Sequence, residues 1–535
     1  MRTQVLVVGA GPAGLVLAAV LADHDVDVTI VDAKKGPDTH SRAAILHVRT
    51  LELLDRLGLA DRAVAQGVPM TGVEIFERGR RAGGFPFAGP WARTPFPYAL
   101  GLEQDRTERL LLEWLSERGH DVAWNTELVA LAEGPDGARA TVRRATGEHA
   151  TIEARWVVGA DGARSMVRHA LGLAFAGRTY DQTGLLADVD LAFPAGSGPA
   201  AGTLRLDLTR DGFVGLFRLA GGRYRLFGAV PPGLAPPARR APGARGEVSH
   251  EPYGDVPLSQ IQDWFDTYFR LDARITAAPW TALFRVHSRI AGRFRAGDAF
   301  LVGDAAHIHS PAGGQGMNLA VGDAFNLGWK LALVARGQAH ERLLDSYEAE
   351  RRPVAVAVLR GSDRGFALET LRHPAARWIR SHLAGRLIGP LTRLPAARSA
   401  VFRLFSQTWI GYRGSPAVAG TSGRGPRPGD RAPYGRVGST GGSLFDVIGG
   451  TRHHVLLFEG PQPGPAAAHW KRVEDMLRRH PIDVRVHAVP AAETALHALY
   501  GARRPRLFLI RPDGHIAYAG SPDETRRFAA YLDCL

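Results

Sequence analysis

The chain has 535 residues, of which 45% are hydrophobic and 22% charged, which excludes a disordered protein and predicts about two to four folded domains. The formal net charge is +13, but the basic residues are scattered among Ala, Gly and Pro, so we expect no nucleic-acid partner. Cys534 is the single cysteine, which excludes an intrachain disulfide framework and a metal–thiolate cage and is compatible with the cytoplasm.

Residues 5–22 form an apolar stretch with the length of a short membrane span. Three glycines and a proline interrupt it, which a spanning helix would not favour. The pattern instead predicts a buried strand over residues 3–8, a glycine turn and a helix over residues 12–23. No other apolar run approaches the length of a membrane span, so we expect no membrane contact.

The glycine turn has the spacing of a dinucleotide-binding motif. Gly9 allows the tight turn, Gly11 lets the backbone approach a pyrophosphate, and Gly14 lets the helix pack closely on the strand. A second apolar strand over residues 26–31 ends at Asp32, a carboxylate placed to bind a ribose. The alternative is a turn that only packs a helix on a sheet, which leaves Asp32 without a role.

The remaining elements alternate between α/β units and an antiparallel region. Helices are predicted within residues 41–58 and near residues 105–118, 258–270, 315–336, 466–479 and 491–500, with a mainly helical stretch over 340–412 and a final helix at the C-terminus. Strands are predicted over residues 121–131, 138–145, 151–159, 183–230 (several), 299–302, 454–458, 483–489 and 506–519 (a hairpin), with a loop over 231–246.

Three glycine motifs, at residues 9–14, 159–165 and 303–318, occur in an order that resembles the single-component FAD-dependent aromatic hydroxylases, the class A flavoprotein monooxygenases with the para-hydroxybenzoate hydroxylase fold. The tail, with its segments 428–433 and 511–514, is similar to the C-terminal thioredoxin-like domain of the longer members, such as phenol hydroxylase and the hydroxylases of aromatic polyketide pathways. The resemblance implies an α/β fold in which a Rossmann-like FAD-binding domain carries an inserted mixed-sheet substrate domain.

The implied domain boundaries follow from these motifs. They are 1–70, 101–174 and 286–360 for the FAD-binding domain, 71–100 and 175–285 for the substrate domain, 361–412 for a helical connection, 413–428 for a linker and 429–535 for the thioredoxin-like domain. Residues 459–462 read Glu-Gly-Pro-Gln where a redox pair would stand, so the tail cannot exchange disulfides. It is expected to pack on the catalytic core or on a partner subunit, and a homodimer is one assembly that fits.

The resemblance also implies the residues that hold the cofactor. The ADP half of FAD would contact Gly9, Gly11, Pro12, Ala13, Gly14 and Asp32, with Arg42 near the pyrophosphate and Gln104 near the ribityl chain. Asp161 and Gly162 would contact FAD and NADPH, Gly303 and Asp304 the ribityl chain, and Pro311, Gly313, Gly314, Gln315, Gly316, Met317 and Asn318 the flavin ring. For Arg42 and Gln104 the alternatives are a surface cation and a capping amide.

The third motif has a physical reading of its own. Gly313 to Gly316 precede an apolar helix, whose free N–H groups and positive end can face the N1–C2=O edge of a flavin. The alternative is a loop before a well-capped helix. The chemistry belongs to the flavin, so we expect neither an acid–base triad nor a metal, and His307 is expected to be structural beside the flavin.

Substrate contacts are expected from aromatic residues of the mixed sheet, which could stack on a flat molecule or simply pack in the core. The candidates are Trp91, Phe96, Phe213, Phe217, Tyr224 and Phe227.

The resemblance implies NAD(P)H- and O2-dependent hydroxylation of a phenolic or quinonoid polycyclic aromatic through a C4a-flavin hydroperoxide, in a polyketide or antibiotic pathway. The cofactors would be FAD, NADPH or NADH, and O2. Alternatives are Baeyer–Villiger-type oxygenation or oxidative rearrangement, and inactivation or sequestration of an antibiotic. Flavin-dependent halogenation is disfavoured, because no lysine lies between Lys35 and Lys330 and the Trp-x-Trp-x-Ile-Pro segment is absent.

Overall fold

The structure is a computed structural model that describes residues 1–39, 43–134, 137–194, 198–200, 202–209, 212–230, 256–310, 312–370, 389–460 and 466–535. Two expected cofactor contacts, Arg42 and Pro311, lie outside the described residues, as do the predicted loop over 231–246 and residues 461–462 of the tail.

The strands form three large sheets and one small one. In chain order they are β1 (Arg2–Val8), β2 (Val28–Val31), β3 (Ile45–Leu46), β4 (Val68–Met70), β5 (Gly72–Glu77), β6 (Arg80–Pro86), β7 (Ala99–Gly101), β8 (Val122–Ala123), β9 (Glu127–Gly134), β10 (Gly137–Arg143), β11 (His149–Gly159), β12 (Phe175–Ala192), β13 (Thr203–Thr209), β14 (Gly212–Arg218), β15 (Tyr224–Ala229), β16 (Arg274–Ala291), β17 (Arg295–Ala296), β18 (Ala299–Leu301), β19 (His307–Ile308), β20 (Ala419–Gly420), β21 (His453–Phe458), β22 (Val484–Val489), β23 (Arg506–Ile510) and β24 (Ile516–Gly520).

The helices cover the sheets and connect them. In chain order they are α1 (Pro12–Asp23), α2 (Val48–Arg56), α3 (Ala60–Gln66), α4 (Gln104–Ser116), α5 (Met166–Ala170), α6 (Leu258–Phe269), α7 (Gly316–Ala335), α8 (Asp345–Thr370), α9 (Pro395–Ser406), α10 (Leu444–Val447), α11 (Ala466–Leu477), α12 (Thr494–Tyr500) and α13 (Thr525–Asp533).

The first sheet has the order β17-β18-β11-β1-β2-β8, and β18, β11, β1, β2 and β8 are parallel. The predicted first strand and first helix are confirmed, and both are buried because α1 lies between this sheet and α7. Gly328 permits the close helix contact, since a Cβ there would lie 2.8 Å from Cγ1 of Val20. This is the Rossmann-like arrangement that the sequence predicts, with β1 at the centre of the sheet.

The second sheet is the expected mixed sheet, with the order β19-β16-β12-β15-β14-β13-β5-β6. Only the β13–β5 pair is parallel among its described pairings, since the others are antiparallel. Helix α6 covers one face through Ile261, Trp264 and Phe265, and the other face points toward β3 and α2. Strand β16 continues past the expected boundary at residue 285 and pairs with β19, which ties the inserted sheet to the third glycine motif.

The C-terminal sheet has the order β20-β24-β23-β21-β22. Residues 413–428, expected to be a linker, are ordered against this sheet: β20 pairs in parallel with β24, and the N–H of Thr421 donates to the carbonyl of Ala519. The glycine-rich composition that suggests a linker serves a close edge contact instead, because a Cβ on Gly420 would lie 2.0 Å from the oxygen of Ala519. Within the stretch expected to be a linker, residues 419–420 thus form a short edge strand of this sheet.

The tail packs on the domain that contains the first, parallel sheet. One hydrophobic cluster runs from β1 and α1 through α7 to β21 and β23. A fully buried ionic network also joins α7 and α8 to the tail. Nζ of Lys330 lies 2.8 Å from the carboxylate of Glu350, which also accepts hydrogen bonds from Arg511 at 2.6 and 2.9 Å. Such a network is stable only when each charge keeps its partner.

Within the described residues, none of the helices is both long and apolar enough to cross a membrane.

The buried histidines make the stability of the fold pH-dependent. His453 of β21 lies edge-on to the indole of Trp329, with ring centroids 5.4 Å apart, and burial lowers its pKa from 6.5 to about 3. The folded chain resists this protonation while the unfolded chain accepts it. The contribution of the neutral, buried His453 to the unfolding free energy is therefore complete above pH 6.5 and is lost as the pH falls toward 3.

When the pH is lowered from 7 to 5, the unfolding free energy of the wild type should fall by roughly 1–2 kcal/mol more than that of His453→Phe. The variant keeps the aromatic contact but lacks the titrating group. Urea denaturation at both pH values measures this. The control His149→Phe changes an exposed histidine and should lose as much as the wild type. Equal losses in all three proteins would contradict the assignment.

Candidate active site

The glycines of the first motif have three different environments. Gly9 has a φ of +108°, and a Cβ there would lie 2.4 Å from the oxygen of Ala160. A Cβ on Gly14 would lie 1.9 Å from the oxygen of Gly9. At Gly11, by contrast, a Cβ would meet no atom within 4 Å. Gly9 and Gly14 are thus needed for packing, whereas Gly11 borders open space.

The N-terminus of α1 is open to that space. Gly11 is its N-cap and offers no side chain, and Pro12 occupies the first turn. Asp32 is buried at the end of β2, where its carboxylate accepts the N–H of Ala10 at 2.7 Å and the N–H of Lys34 at 2.8 Å. The carboxylate therefore braces the turn from the neighbouring strand while free N–H groups remain at the helix start.

Gly303 brings the first and third motifs together. A Cβ on Gly303 would lie 2.9 Å from Cβ of Ala320 in α7 and 3.4 Å from Cβ of Ala13 in α1. The second motif joins them, because the N–H of Val302 donates to the carbonyl of Gly159 at 3.0 Å. The carboxyl ends of β1, β11 and β18 thus meet at one edge of the sheet, where ligands bind in open α/β folds.

The acids of the second and third motifs differ in environment. Asp161 accepts the N–H of Val167 at 3.1 Å, while its Oδ1 is buried without a hydrogen-bond partner in the described structure, and burial raises the pKa of this carboxyl. Gly162 has a φ of +76°, and a Cβ there would meet no atom within 4 Å. Asp304 is exposed beside Gly303.

Asp323 of α7 anchors the Gly303 turn. Its buried carboxylate accepts the N–H of Gly303 at 3.2 Å, Nε2–H of His307 at 2.7 Å and Nε–H of Arg351 at 2.6 Å. Burial opposes ionisation, but the charges of Arg351 and His307 outweigh it and lower the pKa of Asp323. Arg351 also donates to the hydroxyl of Tyr412 at 2.9 Å. His307 therefore has the structural place that the sequence predicts.

The third motif ends in a tight turn and a second open helix start. Gly313 and Gly314 have φ values of +77° and +62°. Gln315 is the N-cap of α7 without a side-chain cap, and Gly316 is the first residue of the helix. The buried Met317 follows. The loop is not the well-capped alternative, so its N–H groups remain available.

Asn318 holds this turn against the loop before α2. Its amide donates to the carbonyls of Ile45 and Gly314, both at 2.9 Å, and its oxygen accepts the N–H of His47 and the hydroxyl of Thr50, both at 2.7 Å. All four bonds are internal, so Asn318 acts from within the fold.

His47 and Gln407 complete the support of the loop, and sequence reasoning missed both. Burial lowers the pKa of His47 to about 4, so the neutral ring donates to the carbonyl of Gly313 at 2.9 Å. The amide of Gln407, which has a φ of +59°, donates to the side-chain oxygen of Gln315 at 2.6 Å. No local pattern marks either residue, because both act across distant parts of the chain.

Gln104 starts α4 beside the loop that follows residue 42. Its N–H donates to the carbonyl of Ala43 at 2.9 Å, and its side-chain amide donates to Glu108 at 2.9 Å.

The mixed sheet divides the aromatic candidates between its faces. Phe217 and Phe227 lie on the face toward β3 and α2, with ring centroids 6.0 Å apart, and Phe213 contacts Phe227 at the same distance. Phe227 covers Gly215, where a Cβ would lie 2.1 Å from the ring. Tyr224 has the opposite parity and packs on the face covered by α6.

Three aromatic residues that the sequence did not single out, Phe85, Phe402 and Phe405, join this surface. Phe85 and Phe405 lie with ring centroids 6.2 Å apart, and a Cβ on Gly313 would lie 3.4 Å from the ring of Phe405. We call Phe85, Phe217, Phe227, Phe402 and Phe405 the aromatic wall, because one hydrophobic cluster contains them all. Trp91 packs at the edge of this cluster, whereas Phe96 is buried in the main core.

The residues present fit FAD. The space at Gly11 and Gly162 adjoins an uncapped helix start, which suits the phosphates of a dinucleotide. The buried Oδ1 of Asp161 lacks a donor in the described structure, and a hydroxyl group of a dinucleotide would supply one. The second helix start, at Gly316, adjoins the aromatic wall.

Comparison with known proteins agrees with this geometry. An FAD binding domain model matches residues 2–362, and an aromatic-ring hydroxylase C-terminal model matches residues 425–533. The chain is 33% identical to 6-methylpretetramide 4-monooxygenase of Streptomyces rimosus over 99% of this chain and 93% of that protein. It is also 33% identical to pentachlorophenol 4-monooxygenase of Sphingobium chlorophenolicum, over 89% and 83% of the two chains.

A solved structure shares the whole architecture. The anhydrotetracycline hydroxylase OxyS from Streptomyces rimosus aligns with a TM-score of 0.74 and 28% identity, covering 100% of this chain and 99% of that one. The chain belongs to the family of FAD-dependent aromatic-ring hydroxylases. It is an FAD-dependent monooxygenase with the mixed α/β fold of that family.

The different environments of the glycines predict different effects of alanine. Gly11→Ala should fold with an unfolding free energy within about 0.5 kcal/mol of the wild type, because the methyl group meets no protein atom, yet bind FAD at least about tenfold more weakly. Gly14→Ala should lower the unfolding free energy by roughly 1–3 kcal/mol through its collision with Gly9.

Urea denaturation of the FAD-free proteins and titration with FAD, followed by flavin fluorescence, measure both quantities. Wild-type FAD affinity in a folded Gly11→Ala protein would contradict the cofactor assignment of the turn.

Proposed function

We propose that this chain catalyses the NAD(P)H- and O2-dependent hydroxylation of a planar phenolic or quinonoid polycyclic aromatic. The observation that carries the proposal is the contact between the Gly313 turn and Phe405, because it joins the open start of α7 directly to the aromatic wall. A flavin ring held at that helix start would face a surface suited to a flat apolar molecule.

The proposal assigns the cofactor contacts to three groups of residues. The start of α1, with Gly9, Gly11, Pro12, Ala13 and Gly14, would hold the pyrophosphate of FAD. Asp32 would bind the adenosine ribose and Arg42 the pyrophosphate, while Gln104, Gly303 and Asp304 would contact the ribityl chain, and Asp161 and Gly162 both FAD and NADPH. Pro311 and residues 313–318 would lie along the ring.

The bound flavin would supply the chemistry, passing electrons from the reduced nicotinamide to dioxygen and one oxygen atom to the substrate. The protein orients the ring and excludes water. The N–H groups at the start of α7 would stabilise negative charge on a flavin bound there, and the neutral ring of His47 fixes the turn without adding a charge. The aromatic wall keeps the site dry.

The substrate class rests on size and chemistry. The wall contains five aromatic rings and few polar atoms, which favours a multi-ring substrate held by stacking and apolar contact. Two relatives are named as monooxygenases of a pretetramide and of a chlorinated phenol, and both of these molecules are aromatic. A cytoplasmic location and a homodimer are further expectations from the sequence.

Turnover tests the function. FAD-loaded protein in air should oxidise NADPH or NADH faster when a hydroxynaphthoquinone, a hydroxyanthraquinone or a tetracyclic phenol is added, and mass spectrometry should find a product with one added oxygen that carries label from 18O2. NMR of the product separates ring hydroxylation from Baeyer–Villiger insertion. Stoichiometric binding without turnover across the panel would instead support sequestration and contradict the proposal.

The two faces of β15 provide a matched pair of variants. Phe227→Ala removes a ring from the aromatic wall and should raise KM for the best substrate about tenfold, since truncation of a stacked aromatic ring costs about 1–2 kcal/mol of contact. Tyr224→Leu alters the α6 face and should leave KM within about twofold of the wild type. Steady-state NADPH oxidation measures both, and equal KM values would place the substrate elsewhere.

A further inference from the structure

A cavity of about 610 Å³ lies between the loop after β6, α9 and the C-terminal domain. The loop after β6 contributes Trp91 and Arg93, α9 and the residues after it contribute Phe402, Arg403 and Trp409, and the tail contributes Arg431. Its volume is in the range of sites for small organic ligands, which is about 300–1,000 Å³.

The aromatic side of this cavity is fixed in place. The indole N–H of Trp91 donates to the carbonyl of Phe87 at 3.2 Å, and its ring covers Gly89, where a Cβ would lie 2.5 Å from the ring. Phe402 is buried, with its ring edge-on to that of Phe87 at 6.5 Å. The wall is therefore preformed for a flat molecule.

The charged side is positive. Among the described residues that line the cavity, Asp430 is the only acidic one, and Arg413 donates to its carboxylate at 2.6 and 2.9 Å. Arg431 is paired with Glu52, at 2.8 Å from Nε. Arg93 and Arg403 are exposed, and within the part of the chain that the structure describes neither guanidinium has an ion-pair partner. The lining thus keeps two uncompensated positive charges beside aromatic rings.

Helix α9 borders both this cavity and the Gly313 loop. Phe402 lines the cavity, whereas Phe405 contacts the position of a Cβ on Gly313 at 3.4 Å. Just beyond the helix, Thr408 and Trp409 line the cavity while Gln407 bonds to Gln315. The lining shares Phe402 with the aromatic wall but contains no residue of the Gly313 turn or of the start of α7, so a molecule in the cavity would not occupy the position proposed for the flavin ring.

We propose that this cavity is a second binding site, which takes a planar aromatic molecule bearing an anionic group such as a carboxylate or sulfonate. The half-buried rings of Trp91 and Trp409 supply the flat apolar surface, and the guanidiniums of Arg93 and Arg403 pair with the anion. Binding at this site requires neither NAD(P)H nor turnover, so it stands apart from the proposed hydroxylation.

The test uses FAD-loaded protein without nicotinamide and anthraquinone-2-sulfonate as the probe. Quenching of tryptophan emission should saturate, and the neutral 2-(hydroxymethyl)anthraquinone should bind about tenfold more weakly. The double variant Arg93→Gln/Arg403→Gln should raise the Kd of the sulfonate about tenfold, while the matched surface variant Arg144→Gln should leave it unchanged. Trp409→Phe should lose part of the quenching.

Visible absorption of the flavin separates the two sites. A sulfonate in the second cavity should leave the flavin spectrum unchanged, and Phe227→Ala should not alter its Kd. The proposal is overturned if the double variant binds like the wild type, if the neutral probe binds equally well, or if saturation shifts the flavin spectrum. A protein that binds the sulfonate but oxidises no aromatic substrate would contradict the proposed function alone.

Discussion

The close approach of two helices at one glycine is the constraint on which the site depends. Gly303 lies between Ala13 of α1 and Ala320 of α7, and any side chain there would push the helices apart. Asp323 fixes the turn from inside α7 by accepting the N–H of Gly303, and it is itself held by Arg351 and His307. Two helix starts without a side-chain cap thereby lie near one edge of the parallel sheet, the edge at which ligands bind in open α/β folds.

Much of this arrangement could be predicted from the sequence, because the relevant signals are local. The turn at Gly9 lies between a buried strand and a helix whose bounds, Pro12–Asp23, are those expected, and α7 begins within a residue of its predicted start. Each of these elements carries its own apolar pattern and its own terminating glycines or proline. The family resemblance rests on the same short motifs, and the comparisons confirm it.

What the sequence could not provide are contacts between distant segments. Tyr224 and Phe227 lie on opposite faces of β15 because their positions differ in parity, but only the packing of α6 on one face shows which of the two residues faces the aromatic wall. Phe405 and Gln407 belong to a helical region whose position against Gly313 depends on tertiary packing. Residues 413–428 resemble a linker because close backbone contact and chain flexibility both favour glycine, so composition cannot distinguish them.

The ionic network at the base of the tail limits how this protein can be recombined. Lys330 and Glu350 belong to the catalytic core, whereas Arg511 and Asp513 belong to the C-terminal sheet, and all four are enclosed together. A tail transplanted from a homologue with a different set of charges would leave an ion stranded in the interior, at a cost of about 3–5 kcal/mol. The core and its tail therefore have to be inherited as a matched pair, and a chimera between family members would preserve its fold only where the junction keeps these four partners together.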